Sequence, residues 1–133
     1  MSTNAYTVII EEFAERHFIK SFEKKYKGAC DVTRTALTLS FQAFDALFDR
    51  NIAETIVDTD TVKICKVEFK ISSTNQSRHG SGNRCIVAIH KTTLNVNVLL
   101  VYMKTDVKGS RETLWWREVV RDSYPEYKKL CTS

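Results

Sequence analysis

Seven side chains between residues 66 and 104 have the right chemistry to grip a phosphodiester: Lys66, Lys70, Arg78, His79, Arg84, Tyr102 and Lys104. Lysine and arginine neutralise phosphate, arginine through a planar fork of donors. A tyrosine ring offers a flat face on which a base can stack. If the chemistry is RNA cleavage, the ribose 2′-hydroxyl attacks its neighbouring phosphate. That reaction needs a base, a stabiliser for the charged phosphorane, and an acid for the leaving 5′-oxygen. His79 is the group here whose unperturbed pKa lies near neutrality. A lysine lowered by cationic neighbours is the alternative base. Arg84, Lys70, Lys104 and His79 are therefore the candidates for catalysis, with base and acid unassigned among the last three. Lys66, Arg78 and Tyr102 are the candidates for RNA contact. No paired carboxylates and no metal-ligand spacing accompany the cluster, so neither a metal nor a cofactor is expected. Lysines on an exposed sheet face are also ordinary solvation, and the pattern by itself leaves both readings open.

The elements around these residues decide whether they meet. Residues 62–71, "VKICKVEFKI", alternate: Cys65, Val67, Phe69 and Ile71 on one side, Lys66, Glu68 and Lys70 on the other. That is the pattern of a half-buried strand. A polar loop, "SSTNQSRHGSGN", leads into "RCIVAIH", and "VNVLLVYMK" follows after the short connection "KTTLN". A connection this short predicts an antiparallel hairpin. In that register Arg84 lies close to Met103 and Lys104, and Lys70 ends nearby on the preceding strand. The cations then gather at one end of the sheet. One face packs the helices, and the other presents Lys66, Lys70, Arg84, Tyr102 and Lys104, with His90 on the same side.

Upstream, "YTVII" at 6–10 reads as a first strand, and 11–26 as an amphipathic helix with Phe18, Phe22 and Tyr26 on its apolar face. A second helix, capped by Asp31 or Thr33, is expected to run to about Arg50 with Leu37, Phe41, Phe44 and Phe48 as its stripe. Ser110 is the expected cap of a last helix, "RETLWWREVVRDSY", stopped before Pro125. Whether 52–61 adds a strand stays open. Two adjacent indoles, Trp115 and Trp116, cannot both face one core stripe. Either one is core and one partly covered, or the pair is a docking surface for a partner protein. The order β-α-α-β-β-β-α makes the fold class α+β, with a mostly antiparallel sheet and helices on one face.

The bulk numbers agree with a single domain over 1–133. Hydrophobic content of 43% and one proline argue against disorder. A net charge of +4 is a mild bias toward polyanions. Cys30, Cys65, Cys85 and Cys131 are scattered, with no CxxC pair, and read as reduced thiols rather than a zinc site. No signal peptide or long apolar run is present, so a cytoplasmic location is expected.

"KICKVEFK", "SGNRCIVAI" and "VNVLLVYMKTD", preceded by "FEKKYKGACDVT", resemble the RelE/ParE superfamily of bacterial type II toxins over roughly residues 5–127. In that family a lysine-bearing strand leads through a glycine-containing loop into a strand opened by an arginine, and a hydrophobic strand ending in a basic residue follows. The resemblance implies a toxin that cleaves mRNA in the ribosome without metal and is neutralised by a cognate antitoxin. ParE members instead poison DNA gyrase on the same fold, and a non-toxic RelE-fold binding protein is the third alternative, since fold alone does not settle function. By position, Arg84 matches the family arginine that contacts the scissile phosphate. Lys70 falls among the lysines late in the preceding strand, and Lys104 near the basic residue closing the last one. The tyrosine that RelE enzymes often place after that strand has no match in "TDVKGSRETLWW"; Tyr102 stands earlier. His79 has no RelE counterpart, though some relatives use histidine. Trp115 and Trp116 would then be the surface for the antitoxin or a homodimer partner.

Overall fold

The computed structural model describes residues 5–18, 29–69, 83–107 and 111–131. Five strands, β1 (Thr7–Ile10), β2 (Ala53–Asp58), β3 (Val62–Phe69), β4 (Asn83–His90) and β5 (Asn95–Met103), form one sheet in the order β1-β5-β4-β3-β2. The helices are α1 (Glu12–Phe18), α2 (Ala29–Gln42), α3 (Asp45–Asp49), α4 (Glu112–Ser123) and α5 (Lys128–Cys131). The fold is α+β, as the element pattern indicated. The β2 to β5 pairs are antiparallel, and β1 runs parallel to β5 at the edge, Thr7 opposite Asn95. None of the described helices is long and apolar enough to cross a membrane.

The expectation of helices on one face is corrected: the sheet is covered on both sides. On the first face Ala14, Phe41, Phe44 and Leu47 from α1 to α3 pack on Cys65, Val67, Cys85, Val87 and Val98. On the second, Trp116 and Val120 of α4, with Tyr124, Tyr127 and Cys131, pack on Ile64, Ile86, Ala88, Leu100 and Tyr102. The cause lies in β4. Residues 84–89 contain no polar alternation after Arg84, so both sides of the strand are apolar and both demand a lid. A bulge in β5 adds to this. Ile86 pairs with Leu100 and Val87 with Val98, so Leu99 is an extra residue. Leu99 and Leu100 thereby both enter the second core.

Two boundaries of the second helix differ from the expectation, and the first is its start: α2 begins at Ala29, ahead of the expected caps Asp31 and Thr33. The helix expected to reach Arg50 breaks at Ala43 and Phe44, because the Gln42 carbonyl accepts the Tyr6 N–H at 2.9 Å instead of continuing the helical ladder. The Tyr6 hydroxyl then donates to Asp45 Oδ1 at 2.8 Å, at the start of α3. Residues 53–58 do form a strand, β2, paired with β3. The extent of the first helix beyond Phe18 lies outside the described residues. Cys65, Cys85 and Cys131 are free and buried.

Two stability predictions follow from the second core. Trp116 is fully buried, whereas Leu39 on α2 is 61% exposed. Trp116→Ala is expected to cost about 3–5 kcal/mol and Leu39→Lys no more than about 0.5 kcal/mol, read from urea midpoints. Burial also raises the phenols of Tyr102, Tyr124 and Tyr127, the last to about 12. The folded chain holds these protons more tightly than the unfolded chain does. Their stabilisation is complete below the ordinary tyrosine pKa of about 10 and is lost as pH rises through the folded values. The urea midpoint should therefore fall above pH ~10, and Tyr127→Phe should make the fall shallower; an identical slope in that variant would count against this assignment.

Candidate anion site under the C-terminal helix

Arg84 is the second residue of β4, opposite Glu68 on β3 and Tyr102 on β5. The hairpin register therefore places Arg84 directly beside Tyr102, as the "KTTLN" connection implied to within one residue. Arg84 shares its side of the sheet with Ile86 and Ala88, and Lys66 on β3 lies on that same side, opposite Ile86. This is the face that α4 covers.

The expected open basic face is thus closed. Arg84 is only 4% exposed and Tyr102 is fully buried. A guanidinium in such a place needs counter-charge, and two carboxylates supply it. Arg84 Nη1 lies 3.4 Å from Glu68 Oε2, and Arg84 Nε lies 3.6 Å from Glu112 Oε2. Arg84 Nη1 also donates to the Asn83 carbonyl at 3.2 Å. The sequence reading, in which no paired carboxylates stood near the cluster, is corrected here, because Glu112 arrives from a helix distant in the chain. Among the described residues no group of histidine, cysteine or carboxylate side chains is arranged to hold a metal.

Glu112 Oε2 is a point of convergence. The Tyr102 hydroxyl donates to it at 2.7 Å, Lys66 Nζ lies 3.9 Å away, and Arg84 Nε lies 3.6 Å away. Three groups from three adjacent strands thus face one anionic oxygen. Burial, and then the hydrogen bond to Glu112, raise the Tyr102 phenol well above its usual range, so Tyr102 is a donor and not a phenolate. Lys66 also faces Glu54 Oε2 at 3.9 Å. The fit around Arg84 is loose: among the described residues its enclosed Nε makes no hydrogen bond. The carboxylate balances the charge without meeting the donor's geometry.

The helix that carries Glu112 is placed by its own spacing. Glu112, Trp116 and Val120 recur at every fourth position and so share a face. Trp116 and Val120 are buried in the second core, and Glu112 reaches the charged cluster from the first turn. A carboxylate there also suits the helix dipole. The cap is Arg111, which makes no side-chain capping bond; the expected cap, Ser110, lies outside the described residues.

Trp116 is core and not a partner surface, which corrects half of the indole assignment. Trp115 is half-buried, its ring 5.1 Å edge-on from that of Tyr102. Lys104 is exposed where β5 passes into a 3₁₀ turn, Lys104–Asp106. His90 stands at the far end of β4, its Nε2 2.8 Å from the Tyr127 hydroxyl, and does not join the cluster. Lys70, Arg78 and His79 lie outside the described residues.

Sequence reasoning placed Glu68 on the side of Lys66 but gave it no role, and it missed Glu112 and a groove of about 490 Å³ on the outer side of α4, lined by Arg111, Leu114, Arg117, Glu118 and Arg121 beside Glu112. The four-residue spacing of Arg117 and Arg121 on a helix was the available signal.

No family model matches the chain, and no curated protein matches it in sequence. Among solved structures it is similar to a chain of the crystal structure of the archaeal RelE–RelB complex from Pyrococcus horikoshii OT3. The TM-score is 0.51 at 9% sequence identity, over 77% of this chain and 99% of that chain. Identity this low transfers no residue roles. What the two chains share is the fold, and the protein described here has a RelE-like one.

Proposed function

We propose that this chain is a toxin of the type II toxin–antitoxin kind that cleaves mRNA in the translating ribosome. One observation carries the reading: Lys66, Arg84 and Tyr102 converge on a single anionic oxygen at the sheet of a RelE-like fold. The same three groups suit a phosphodiester. Arg84 and Lys66 neutralise its charge and stabilise the phosphorane formed when the 2′-hydroxyl attacks. Tyr102 donates a hydrogen bond to a phosphate oxygen. The attack forms a cyclic phosphate and releases the 5′-oxygen. The proton lost from the 2′-hydroxyl goes to one of Lys70, His79 and Lys104, and another of them returns a proton to the leaving group. Neither metal nor cofactor enters this scheme. Arg78 and the arginines of the α4 groove extend the contact to flanking phosphates. A cognate antitoxin is the expected partner, since the solved neighbour is itself a RelE–RelB complex. Trp115 is the indole left to contribute to such a surface.

A second reading has its own support. Arg84 is buried between two carboxylates, which is also how a structural ion cluster looks. On that reading the chain is a RelE-fold binding protein without chemistry.

Purified protein added to a cell-free translation reaction separates the two, with mRNA ends mapped by primer extension. Cuts within translated codons are expected, reduced by roughly a hundredfold or more in a folded Arg84→Gln variant. Intact mRNA with the folded wild-type chain would reject the nuclease reading in favour of binding, and a gyrase supercoiling assay would then test the ParE-like alternative.

A further inference from the structure

We infer that the first turn of α4 is an autoinhibitory latch, in which the Glu112 carboxylate occupies the place of a substrate phosphate on Lys66, Arg84 and Tyr102. The inference rests on the RNA-directed reading of that site and adds its regulation.

Three observations support it. First, Glu112 Oε2 takes the Tyr102 hydroxyl and faces both cations, so the centre of the receptor is filled by the chain's own anion. No phosphate can reach Arg84 while Glu112 stays. Second, the filling is imperfect. Arg84 Nε is enclosed and makes no hydrogen bond among the described residues, and the two Glu112 ion pairs are 3.6 and 3.9 Å long. A phosphate group has more oxygens than a carboxylate and can meet more of these donors at once. An occupant that satisfies charge but not geometry is one that a better-fitting anion can replace.

Third, the turn that carries Glu112 can open without loss of the helix. Its cap, Arg111, makes no side-chain capping bond, and Thr113 and Leu114 are exposed. The Trp115 N–H donates to the Arg111 carbonyl at 3.1 Å, closing that turn. Trp116, one residue further on, is fully buried and anchors the rest of α4. Fraying back to Trp116 swings Glu112 away and gives up the Trp115–Tyr102 ring contact, while the fully buried Trp116 and Val120 stay in the second core. The local opening of a helix end is far less costly than global unfolding. The helix dipole favours an anion at this end, which holds the latch shut until a competitor arrives.

The test measures affinity for a short single-stranded RNA with 2′-O-methyl sugars, which binds but cannot be cut. Glu112→Gln keeps the side chain's shape and its acceptor for Tyr102. It should bind this RNA about tenfold tighter or more, a change equivalent to about 1.4 kcal/mol. Glu126→Gln removes an equal charge from an exposed site and should leave affinity within about twofold. The gain should vanish when Arg84→Gln is added to Glu112→Gln. Equal affinities for wild type and a folded Glu112→Gln would overturn the latch, as would the same gain in Glu126→Gln. If Glu112→Gln does not fold, hydrogen exchange on the wild-type chain decides. Adding the RNA should speed exchange at the Trp115 amide, whereas unchanged or slower exchange would sink the proposal. The translation assay keeps this apart from the nuclease reading. Tighter RNA binding by Glu112→Gln with no mRNA cleavage by either form would retain the latch and refute the nuclease. Equal cleavage and equal affinity would do the reverse.

Discussion

A guanidinium cannot be buried alone, and the structure is organised around that requirement at Arg84. Leaving such a charge unpaired inside a protein costs several kcal/mol. One counter-charge is local, since Glu68 sits across the β3–β4 pair. The other must come from outside the sheet, and α4 brings it. Once Glu112 is set beside Arg84, the helical repeat places Trp116 and Val120 over the apolar side of β4 and β5. Charge pairing and core packing therefore demand the same position of the same helix. A shift of α4 by one residue would lose both together.

That coupling creates a conflict between stability and access. On the function proposed above, the donors that hold the helix down are the groups an RNA phosphate would use. A face optimised to bind a polyanion would leave its cations open to solvent, where they repel one another; here the charges of Lys66 and Arg84 are instead balanced from within, and Tyr102 has its acceptor in Glu112. The looseness around Arg84 Nε fits a compromise between holding the helix and releasing it. The outer arginines of α4, Arg117 and Arg121, line a groove that begins at Glu112, so the helix carries both the counter-charge and a basic surface.

Much of the sheet could be read directly from the residues. The alternation of Cys65, Val67 and Phe69 with Lys66 and Glu68 and the short "KTTLN" connection were enough to bring Arg84 to the end of the last strand, near Met103 and one residue from its observed partner Tyr102, because side-chain period and hairpin length are local properties. What escaped was non-local. Nothing near Arg84 in sequence names Glu112 as its partner. The break after Gln42 is invisible to helical periodicity, because its cause is the N–H of Tyr6. The second lid had a readable cue in the continuous apolar run of β4, which an exposed face does not produce. Of the paired tryptophans, the spacing shared with Val120 identifies Trp116 as the buried one only after the second face is known to be covered.

The pairing of β1 with β5 has a consequence for how the chain is made. Thr7 lies opposite Asn95, so the first strand finds its place only after most of the chain exists. Contacts so distant in sequence form late and slowly. The lid is later still, because α4 follows every strand it covers. During synthesis, which proceeds from the N-terminus, there is an interval in which Arg84 and Tyr102 have been made and Glu112 has not. Until α4 has folded onto the sheet, Lys66 and Arg84 lack the Glu112 counter-charge that the finished fold supplies. The order of residues along the chain thus sets a period of unbalanced charge that the finished fold brings to an end.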